Sequence, residues 1–175
     1  QEKVNEGAGD DELTGTPGDD VLDGFAGDDT ITGLAGDDIL YGGEGNDVID
    51  GGIGKNRIYG DAGDDTIISS GTNDVVDAGA GNNNITISST ANSGQYTSGD
   101  GNDIYNIQEG ASGNATITSG DGIDKFVVNS SNQLEQEIYF SNLSLSKDLL
   151  QKENEIIILN AEFNNIEDFG YLQLG

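Results

Sequence analysis

Three consecutive stretches near the start of the chain have nearly the same text: GFAGDDTIT at residues 24–32, GLAGDDILY at 33–41 and GGEGNDVID at 42–50. Each has glycine at its first and fourth positions, Asp or Asn at its fifth, Asp at its sixth and an aliphatic residue at its eighth. The nine-residue period runs without insertion from Glu6 to Thr86. An uninterrupted repeat of this kind indicates a solenoid, in which each unit packs only against its neighbours.

The period of nine divides into a short strand and a turn. Positions seven to nine, such as Thr30-Ile31-Thr32, suit a strand whose middle side chain points to one face and whose flanking side chains point to the other. The six glycine-rich residues before them suit a tight turn. Two copies then complete a coil of 18 residues, and stacked coils form two parallel sheets. The side chains expected between the sheets are those at position eight: Leu13, Leu22, Ile31, Leu40, Ile49, Ile58, Ile67, Val76 and Ile85.

Beyond Thr86 the period lengthens. SGDGNDIYN at 98–106 and SGDGIDKFV at 119–127 keep the pattern, and Asn83, Asp103 and Asp124 are spaced by 20 and 21 residues. We therefore expect the solenoid to continue in wider coils that carry the acidic turn along one edge only. The apolar residues expected inside these coils are Ile85, Ile87, Tyr96, Tyr105, Ile107, Ile117, Phe126 and Val128.

These composition changes predict four segments. They are an N-terminal extension (1–5), nine nonapeptide repeats (6–86), irregular solenoid coils (87–135) and a C-terminal cap (136–175). The cap is expected to cover the open end of the core, as solenoids require. A short helix at Lys147–Glu153, followed by strands, is expected within it.

The composition excludes several classes of function. The chain has 175 residues, no histidine, no cysteine and a net charge of −27. A Ser-His-Asp or Cys-His catalytic group, a disulfide framework and a Cys/His zinc site are therefore impossible within it. The negative charge argues against nucleic acid or an anionic membrane as a partner and favours a cation. No apolar run has the length of a membrane span.

The repeat resembles the RTX, or haemolysin-type, family of secreted bacterial proteins, whose nonapeptide G-G-x-G-x-D-x-U-x forms a calcium-bound parallel β-roll. The resemblance covers residues 6–86 and implies an all-β, calcium-bound β-roll. It also implies that position-six carboxylates and turn carbonyls hold several calcium ions. The residues matched to those roles are the carboxylates of Asp11, Asp20, Asp29, Asp38, Asp47, Asp65, Asp74, Asp103 and Asp124, and the turn glycines Gly9, Gly18, Gly27, Gly36, Gly45 and Gly63.

The charges themselves favour the same ion. Ionised carboxylates on parallel coils about 4.8 Å apart repel one another, and the chain has only six Lys and Arg residues to balance them. Calcium accepts six to eight oxygen ligands, including carbonyls, whereas magnesium requires a tight octahedral site. Sites with Asp on both sides are expected at Asp11/Asp29, Asp29/Asp47, Asp47/Asp65, Asp20/Asp38 and, in the wider coils, Asp103/Asp124.

Two features leave alternatives open. The position-five residues (Asp10, Asp19, Asp28, Asp37, Asn46 and Asp64) either bind calcium directly or adopt a left-handed backbone, which Asp and Asn tolerate. In GGIGKNRIY, residues 51–59, Asn56 replaces the aspartate. Lys55 beside it either stands in for calcium or points into solvent. The pairs Asp38/Asn56, Asn56/Asp74 and Asp65/Asn83 are therefore weak candidates.

The expected function is a structural one. A calcium-binding module of a secreted or cell-surface bacterial protein fits the resemblance, which also implies type I secretion and folding outside the cell. A catalytic role is not expected, because the repeat already accounts for the conspicuous aspartates. The alternative is a calcium-dependent polysaccharide-binding or adhesion module of a larger enzyme or adhesin. A monomer is expected.

Overall fold

The computed structural model describes residues 3–5, 7–88, 93–108, 115–122 and 124–128. All regular elements in these ranges are strands, so the described part of the chain holds no helix of the kind that crosses a membrane. The strands are β1 (Lys3–Asn5), β2 (Glu12–Thr14), β3 (Val21–Ala26), β4 (Thr30–Thr32), β5 (Ile39–Glu44), β6 (Val48–Asp50), β7 (Arg57–Ala62), β8 (Thr66–Ser69), β9 (Val75–Asp77), β10 (Asn84–Ile87), β11 (Gln95–Thr97), β12 (Ile104–Ile107), β13 (Thr116–Thr118) and β14 (Lys125–Val128).

Odd-numbered and even-numbered strands form separate sheets. The first sheet has the order β1-β3-β5-β7-β9-β11-β13, and the second has the order β14-β12-β10-β8-β6-β4-β2. All pairings within them are parallel. Because successive strands alternate between the sheets, two repeats make one coil. The predicted parallel β-solenoid is confirmed.

The register shows where the coils widen. Leu22 pairs with Leu40, which pairs with Ile58, at intervals of 18 residues. Farther along, Ile85 pairs with Tyr105 at an interval of 20, and Tyr105 pairs with Phe126 at an interval of 21. The predicted change to wider coils is therefore confirmed.

The core is a column of side chains between the two sheets. All nine position-eight aliphatics are at most 1% exposed. Burial of each such side chain contributes about 1.5–3 kcal/mol. In the wider coils the core also takes up Ile87, Ile107 and Ile117, together with two tyrosines.

Both buried tyrosines have hydroxyl partners. The Tyr96 hydroxyl lies 3.1 Å from Ser69 Oγ, and Tyr105 donates a hydrogen bond of 2.8 Å to Ser98 Oγ. Burial raises the pKa of Tyr96 to about 12, so this side chain stays neutral. A buried tyrosine normally needs such a partner for its hydroxyl.

Side chains at positions seven and nine face outward. On the first sheet, Tyr41 and Tyr59 are paired in register and their rings stack at 5.0 Å with an interplanar angle of 11°. The side chains of Phe126 and Val128 and the whole of residues 136–175, including the expected helix at Lys147–Glu153, lie outside the described residues.

Candidate metal centre

The position-six side chains form a hydrogen-bonded column along each edge of the solenoid. We call this column the carboxylate ladder. On the edge leading into the second sheet, Asp11 N–H donates to Asp29 Oδ1 at 2.8 Å, and Asp29 N–H donates to Asp47 Oδ1 at 2.8 Å. The same bond, at 2.8–3.0 Å, continues through Asp65, Asn83, Asp103 and Asp124. On the other edge it joins Asp20, Asp38, Asn56 and Asp74 at 2.8–3.0 Å.

The ladder brings together the aspartates that the sequence assigned to each edge. It also explains how like-charged groups can stack, because each Oδ1 receives a backbone N–H from the coil before it. A carboxylate hydrogen-bonded in this way is satisfied on one side only. The chemistry of the turn therefore depends on which group or ion interacts with the second oxygen, Oδ2.

The second oxygen is unpartnered in several turns. Among the described residues, Oδ2 is buried without a hydrogen-bond partner in Asp29, Asp38, Asp47, Asp65 and Asp103. These side chains are at most 1% exposed. A buried carboxylate oxygen with no donor carries a large desolvation cost unless a cation balances it.

The glycine at position one lets this oxygen and a carbonyl oxygen of the next coil come close to the same backbone point. A Cβ atom on Gly33 would lie 2.7 Å from Asp38 Oδ2 and 2.7 Å from the carbonyl oxygen of Gly51, one coil farther along. Only glycine fits there, because a side chain would meet both oxygens. We call these two oxygens beside the glycine the oxygen pocket of the turn. Equivalent pockets lie beside Gly24, Gly42 and Gly60, where the same added atom would also meet the Oδ2 of Asp29, Asp47 and Asp65.

The two asparagines at position six show that carbonyl oxygens point into the turn. Asn83 Nδ2 donates to the carbonyls of Gly79 and Gly81, both at 3.3 Å. Asn56 Nδ2 donates in the same way to the Gly52 carbonyl at 3.4 Å. An amide nitrogen therefore faces carbonyls in these turns, whereas an aspartate would place a second oxygen there. With aspartate, such a turn is lined by oxygens and calls for a positive charge.

The glycines at position four allow the coils to approach closely. Gly27 has φ 131°, Gly45 has φ 137° and Gly63 has φ 144°, values that favour glycine. A Cβ atom on any of them would overlap the carbonyl of the position-four glycine one coil earlier. Position-four carbonyls, including those of Gly9, Gly18 and Gly36, therefore lie in columns between coils. Gly18 itself does not have a positive φ.

The left-handed interpretation of position five is wrong for all six residues to which it was applied. None of Asp10, Asp19, Asp28, Asp37, Asn46 and Asp64 has a positive φ. Instead, each side chain is exposed, and its Oδ1 accepts the backbone N–H of the position-five residue one coil later at 2.7–3.0 Å. Outside glycine, the left-handed residues occur mainly at position two, as at Phe25 and Leu34.

Hydroxyl groups close three of the turns, a feature that sequence reasoning missed. Ser69 Oγ donates to Asp74 Oδ2 at 2.6 Å, and Ser119 Oγ donates to Asp124 Oδ2 at 2.7 Å. Near the N-terminus, Thr16 donates to Asp20 Oδ2 through its hydroxyl at 2.8 Å and through its backbone N–H at 2.5 Å. For Asp74 and Asp124 the available signal was the replacement of glycine by serine at position one, five residues before the aspartate.

Burial dominates the electrostatics of the ladder. It raises the pKa of Asp65 from 3.8 to about 7, and repulsion by Asp47, Asp61 and Asp64 adds to this effect. The hydrogen bond from the Asp47 N–H only partly offsets it. Burial also raises the pKa values of Asp29, Asp38, Asp47, Asp74 and Asp103. In the fold without a cation, the ionised form of these carboxyl groups is therefore disfavoured.

The atypical turn at residues 51–56 is closed by its asparagine. Asn56 is fully buried and keeps its place in the ladder, accepting the Asp38 N–H at 3.0 Å. Lys55 is exposed, and its backbone N–H donates to Asp37 Oδ1 at 2.9 Å. The structure thus favours the interpretation in which the Lys55 side chain points into solvent.

The donor set fits calcium better than a metal held by side chains alone. Within the described residues, no three acidic side chains gather at one point. A cation in an oxygen pocket would instead be held by the inward Oδ2 together with backbone carbonyls, which are hard oxygen ligands of the kind calcium accepts. Asp11 is half-buried, and Glu6, at position one of its turn, lies outside the described residues.

Comparison with known proteins assigns the repeat. The family model described as the RTX calcium-binding nonapeptide repeat (4 copies) matches residues 7–40, 23–58 and 50–85. Comparisons with curated proteins and with solved structures found no significant match. The matched residues contain the four glycine-lined oxygen pockets and most of both ladders. The chain carries, over residues 7–85, repeats that belong to the family of RTX calcium-binding nonapeptide repeats.

Proposed function

We propose that this chain is a structural module of a secreted or cell-surface bacterial protein, and that it folds when calcium becomes available outside the cell. The observation that carries the proposal is the set of buried Oδ2 atoms without a partner in Asp29, Asp38, Asp47 and Asp65. Each lies against a glycine that a carbonyl oxygen of the next coil also approaches closely. A buried arrangement of this kind is stable only when a cation or a proton neutralises it.

The four carboxylates have separate tasks for their two oxygens. Oδ1 holds the preceding coil through its N–H, and Oδ2, with the position-one carbonyl of the next coil, would hold calcium. Calcium, when bound, supplies the positive charge and the multiple oxygen coordination that side chains of this acidic sequence lack. Because each pocket draws on two coils, binding would clamp neighbouring coils together. For Asp11, Asp20, Asp74, Asp103 and Asp124, and for the position-four carbonyls, ligation stays a prediction.

The dependence on calcium suits export. Calcium modules that work outside cells have dissociation constants of about 10⁻⁴–10⁻³ M, far above intracellular calcium concentrations. A chain with a net charge of −27 would repel itself in the absence of cations and stay unfolded. Export in that state through a type I system, followed by folding outside, is the course that we infer. The role is structural, with no catalytic step.

A calcium titration tests this proposal. We expect the calcium-free chain to give a largely disordered far-ultraviolet circular dichroism spectrum, and β signal to appear as calcium is added. Magnesium at the same concentrations should have much less effect, because it retains its waters and requires an octahedral site. A calcium-free sample that keeps its full β signal at neutral pH would refute the proposal.

Two adjacent aspartates offer a matched pair of variants. Asp29→Asn should raise the calcium concentration at which half of the β signal appears, since the buried Oδ2 is lost. Asp28→Asn should leave it nearly unchanged, because this side chain is exposed and keeps its acceptor for Asn46 N–H. Asparagine occurs naturally at the equivalent position 46. Equal effects of the two variants would show that general charge, and not the pocket, controls folding.

A second candidate function, calcium-dependent polysaccharide binding, is favoured by the outer face of the first sheet. Asp23, Tyr41, Tyr59 and Asp77 lie there in one row across successive coils. Phenolic and carboxylate oxygens spaced by one coil can hydrogen-bond successive sugar hydroxyls. Glycan-array binding that needs calcium and is lost in Tyr41→Ala would support this function. No binding to any glycan with calcium present would refute it.

A further inference from the structure

The inward atom of position six meets one of three environments. In Asn56 and Asn83 it is an amide nitrogen that donates to carbonyls of its own turn. In Asp20, Asp74 and Asp124 it is an oxygen that accepts from a neighbouring hydroxyl. In the glycine-lined turns of Asp29, Asp38, Asp47 and Asp65 it is an oxygen without a partner. Only in the third environment does no hydrogen bond satisfy the inward atom, so only there is a cation needed.

Position one separates the last two environments in the turns of Asp74 and Asp124. In the turn of Asp20 it is Gly15, and the hydroxyl comes from Thr16 at position two. Where position one is glycine and no such threonine follows, no side chain lies beside the inward oxygen, as at Gly42 and Asp47. Where it is Ser69 or Ser119, the side chain lies beside that oxygen and its hydroxyl donates to Oδ2. Asp74 is as deeply buried as Asp47 and accepts a ladder bond of the same 2.8 Å length. The two turns therefore differ at the inward oxygen and not in the ladder.

From this contrast we infer that a hydroxyl replaces calcium in the turns of Asp20, Asp74 and Asp124, so that calcium binds only in the open pockets of Asp29, Asp38, Asp47 and Asp65. The inference rests on the proposed function and refines it. The residue at position one, five places before the aspartate, selects between an ion and a hydrogen bond. Thr16 has the same effect from position two, where it alone brings both a hydroxyl and a backbone N–H to Asp20.

The turn of Asp103 belongs with the closed turns because of its position one. Its Oδ2 lacks a partner within hydrogen-bond geometry, but position one is Ser98, and interaction with the Ser98 hydroxyl partly offsets the burial that raises the pKa of Asp103. Ser98 in turn accepts the Tyr105 hydroxyl at 2.8 Å and is 3% exposed, so its side chain is held in place. An ion beside Asp103 would have to displace this buried pair.

The consequence is an uneven distribution of calcium along the solenoid. The open pockets all lie between Gly24 and Asp65, whereas the serine-filled turns begin at Ser69. Beyond that point, larger buried side chains such as Tyr96 and Tyr105 fill the core. The metal-dependent coils would thus stand next to coils that hydroxyls close without metal.

The test compares two matched aspartates in the full chain. Calcium ions bound per molecule are counted by native mass spectrometry of the calcium-loaded protein and by isothermal titration with calcium. Asp47→Asn should lower the count by one relative to the parent. Asp74→Asn should leave the count unchanged, although it removes an equally buried carboxylate from the same kind of ladder.

A second variant keeps every carboxylate. Gly42→Ser places a hydroxyl beside Asp47, as Ser69 does beside Asp74. The added Cβ would overlap Asp47 Oδ2 and lie 2.8 Å from the Gly60 carbonyl oxygen, so the Asp47 side chain has to shift. Because the ladder bond to Asp74 is kept beside Ser69, we expect the count to fall by one while the β signal in calcium is retained. Gly18→Ser is its control, because an added Cβ there meets only Thr16 Oγ at 3.9 Å. Mass spectrometry counts ions on the folded species, so partial unfolding of a variant does not obscure the result.

The outcomes separate the inference from the proposed function. A parent that binds no calcium overturns both. A parent that binds calcium, with Asp74→Asn losing an ion just as Asp47→Asn does, overturns the inference and leaves the proposed function intact. An unchanged count in Gly42→Ser also overturns it. The inference is supported if Asp47→Asn and Gly42→Ser each lose one ion and Asp74→Asn loses none.

Discussion

Replacing Asp65 by asparagine should stabilise the calcium-free fold, although it removes a proposed ligand. Burial raises the pKa of Asp65 in the folded state from 3.8 to about 7. A folded-state pKa above the unfolded value means that stability is fully present below about pH 4 and is lost as the pH rises through about 7. Asparagine has no such titration. Its amide nitrogen can donate to turn carbonyls, as that of Asn83 does.

The magnitude follows from the size of the shift. A rise from 3.8 to about 7 corresponds to at most about 4 kcal/mol at about pH 8. Solvent that reaches the turn between coils screens part of it. The variant should therefore match the parent at about pH 4 and become more stable by up to about 4 kcal/mol as the pH rises to about 8. In calcium the sign reverses, because a bound cation holds carboxylate pKa values down and acid then releases the ion.

The assay follows the β signal of the calcium-free proteins by circular dichroism from about pH 4 to about pH 8, in buffers freed of calcium by a chelating resin so that acid does not weaken the chelator. The variant should keep its β signal to a higher pH than the parent. Other carboxylates titrate in both proteins, so the difference between variant and parent is the quantity of interest. Asp100→Asn is the control, since this exposed side chain belongs to the turn of Asp103, two coils beyond Asp65. A variant that loses its β signal at the same pH as the parent would refute the reasoning.

Three further predictions concern the backbone, the core and the atypical turn. Gly45→Ala should reduce the β signal that calcium induces in circular dichroism, because φ at this glycine is 137° and the added Cβ would overlap a backbone carbonyl. Gly18→Ala, where the added Cβ meets no backbone atom, should fold normally. Ile58→Ala should lower the free energy of unfolding in calcium by about 2–5 kcal/mol in urea titrations, and Ile53→Ala, at a position 72% exposed, should change it by less than about 0.5 kcal/mol. Asn56→Asp should add one calcium ion by titration, since it replaces a donating amide with a second oxygen beside a glycine at position one; an unchanged count would contradict this.

The architecture could be predicted from the sequence because a period of nine leaves few options. One aliphatic residue in each copy, as at Ile31 and Ile49, can be buried only if successive strands alternate between two facing sheets. The assignment of aspartates to two edges follows from the same alternation. The wider coils were predictable too, since Asp103 and Asp124 keep the turn pattern at longer intervals.

The finer chemistry of the turns depends on relations between coils that a repeat pattern does not contain. Aspartate at position five looked suited to a left-handed backbone, but its side chain bonds to the next coil, and strain is carried at position two by residues such as Phe25. The closure of Asp74 by Ser69 depends on the direction of two side chains five residues apart. The sequence shows serine in place of glycine at position one. Only the structure shows that the serine hydroxyl donates to Oδ2 of the aspartate.

The alternation of strands between sheets also restricts how such a chain can change its length. Removing 18 residues, for instance 33–50, deletes one complete coil and brings like positions together on both edges. Removing nine would transfer every later strand to the opposite sheet. After removal of 33–41, for example, Asp47 would follow Asp20 instead of Asp29, and the rest of its column, as far as Asp103 and Asp124, would move with it. Insertions and deletions in this block should therefore be tolerated in pairs of repeats. An even number of added or removed repeats keeps every later strand in its own sheet, whereas an odd number does not.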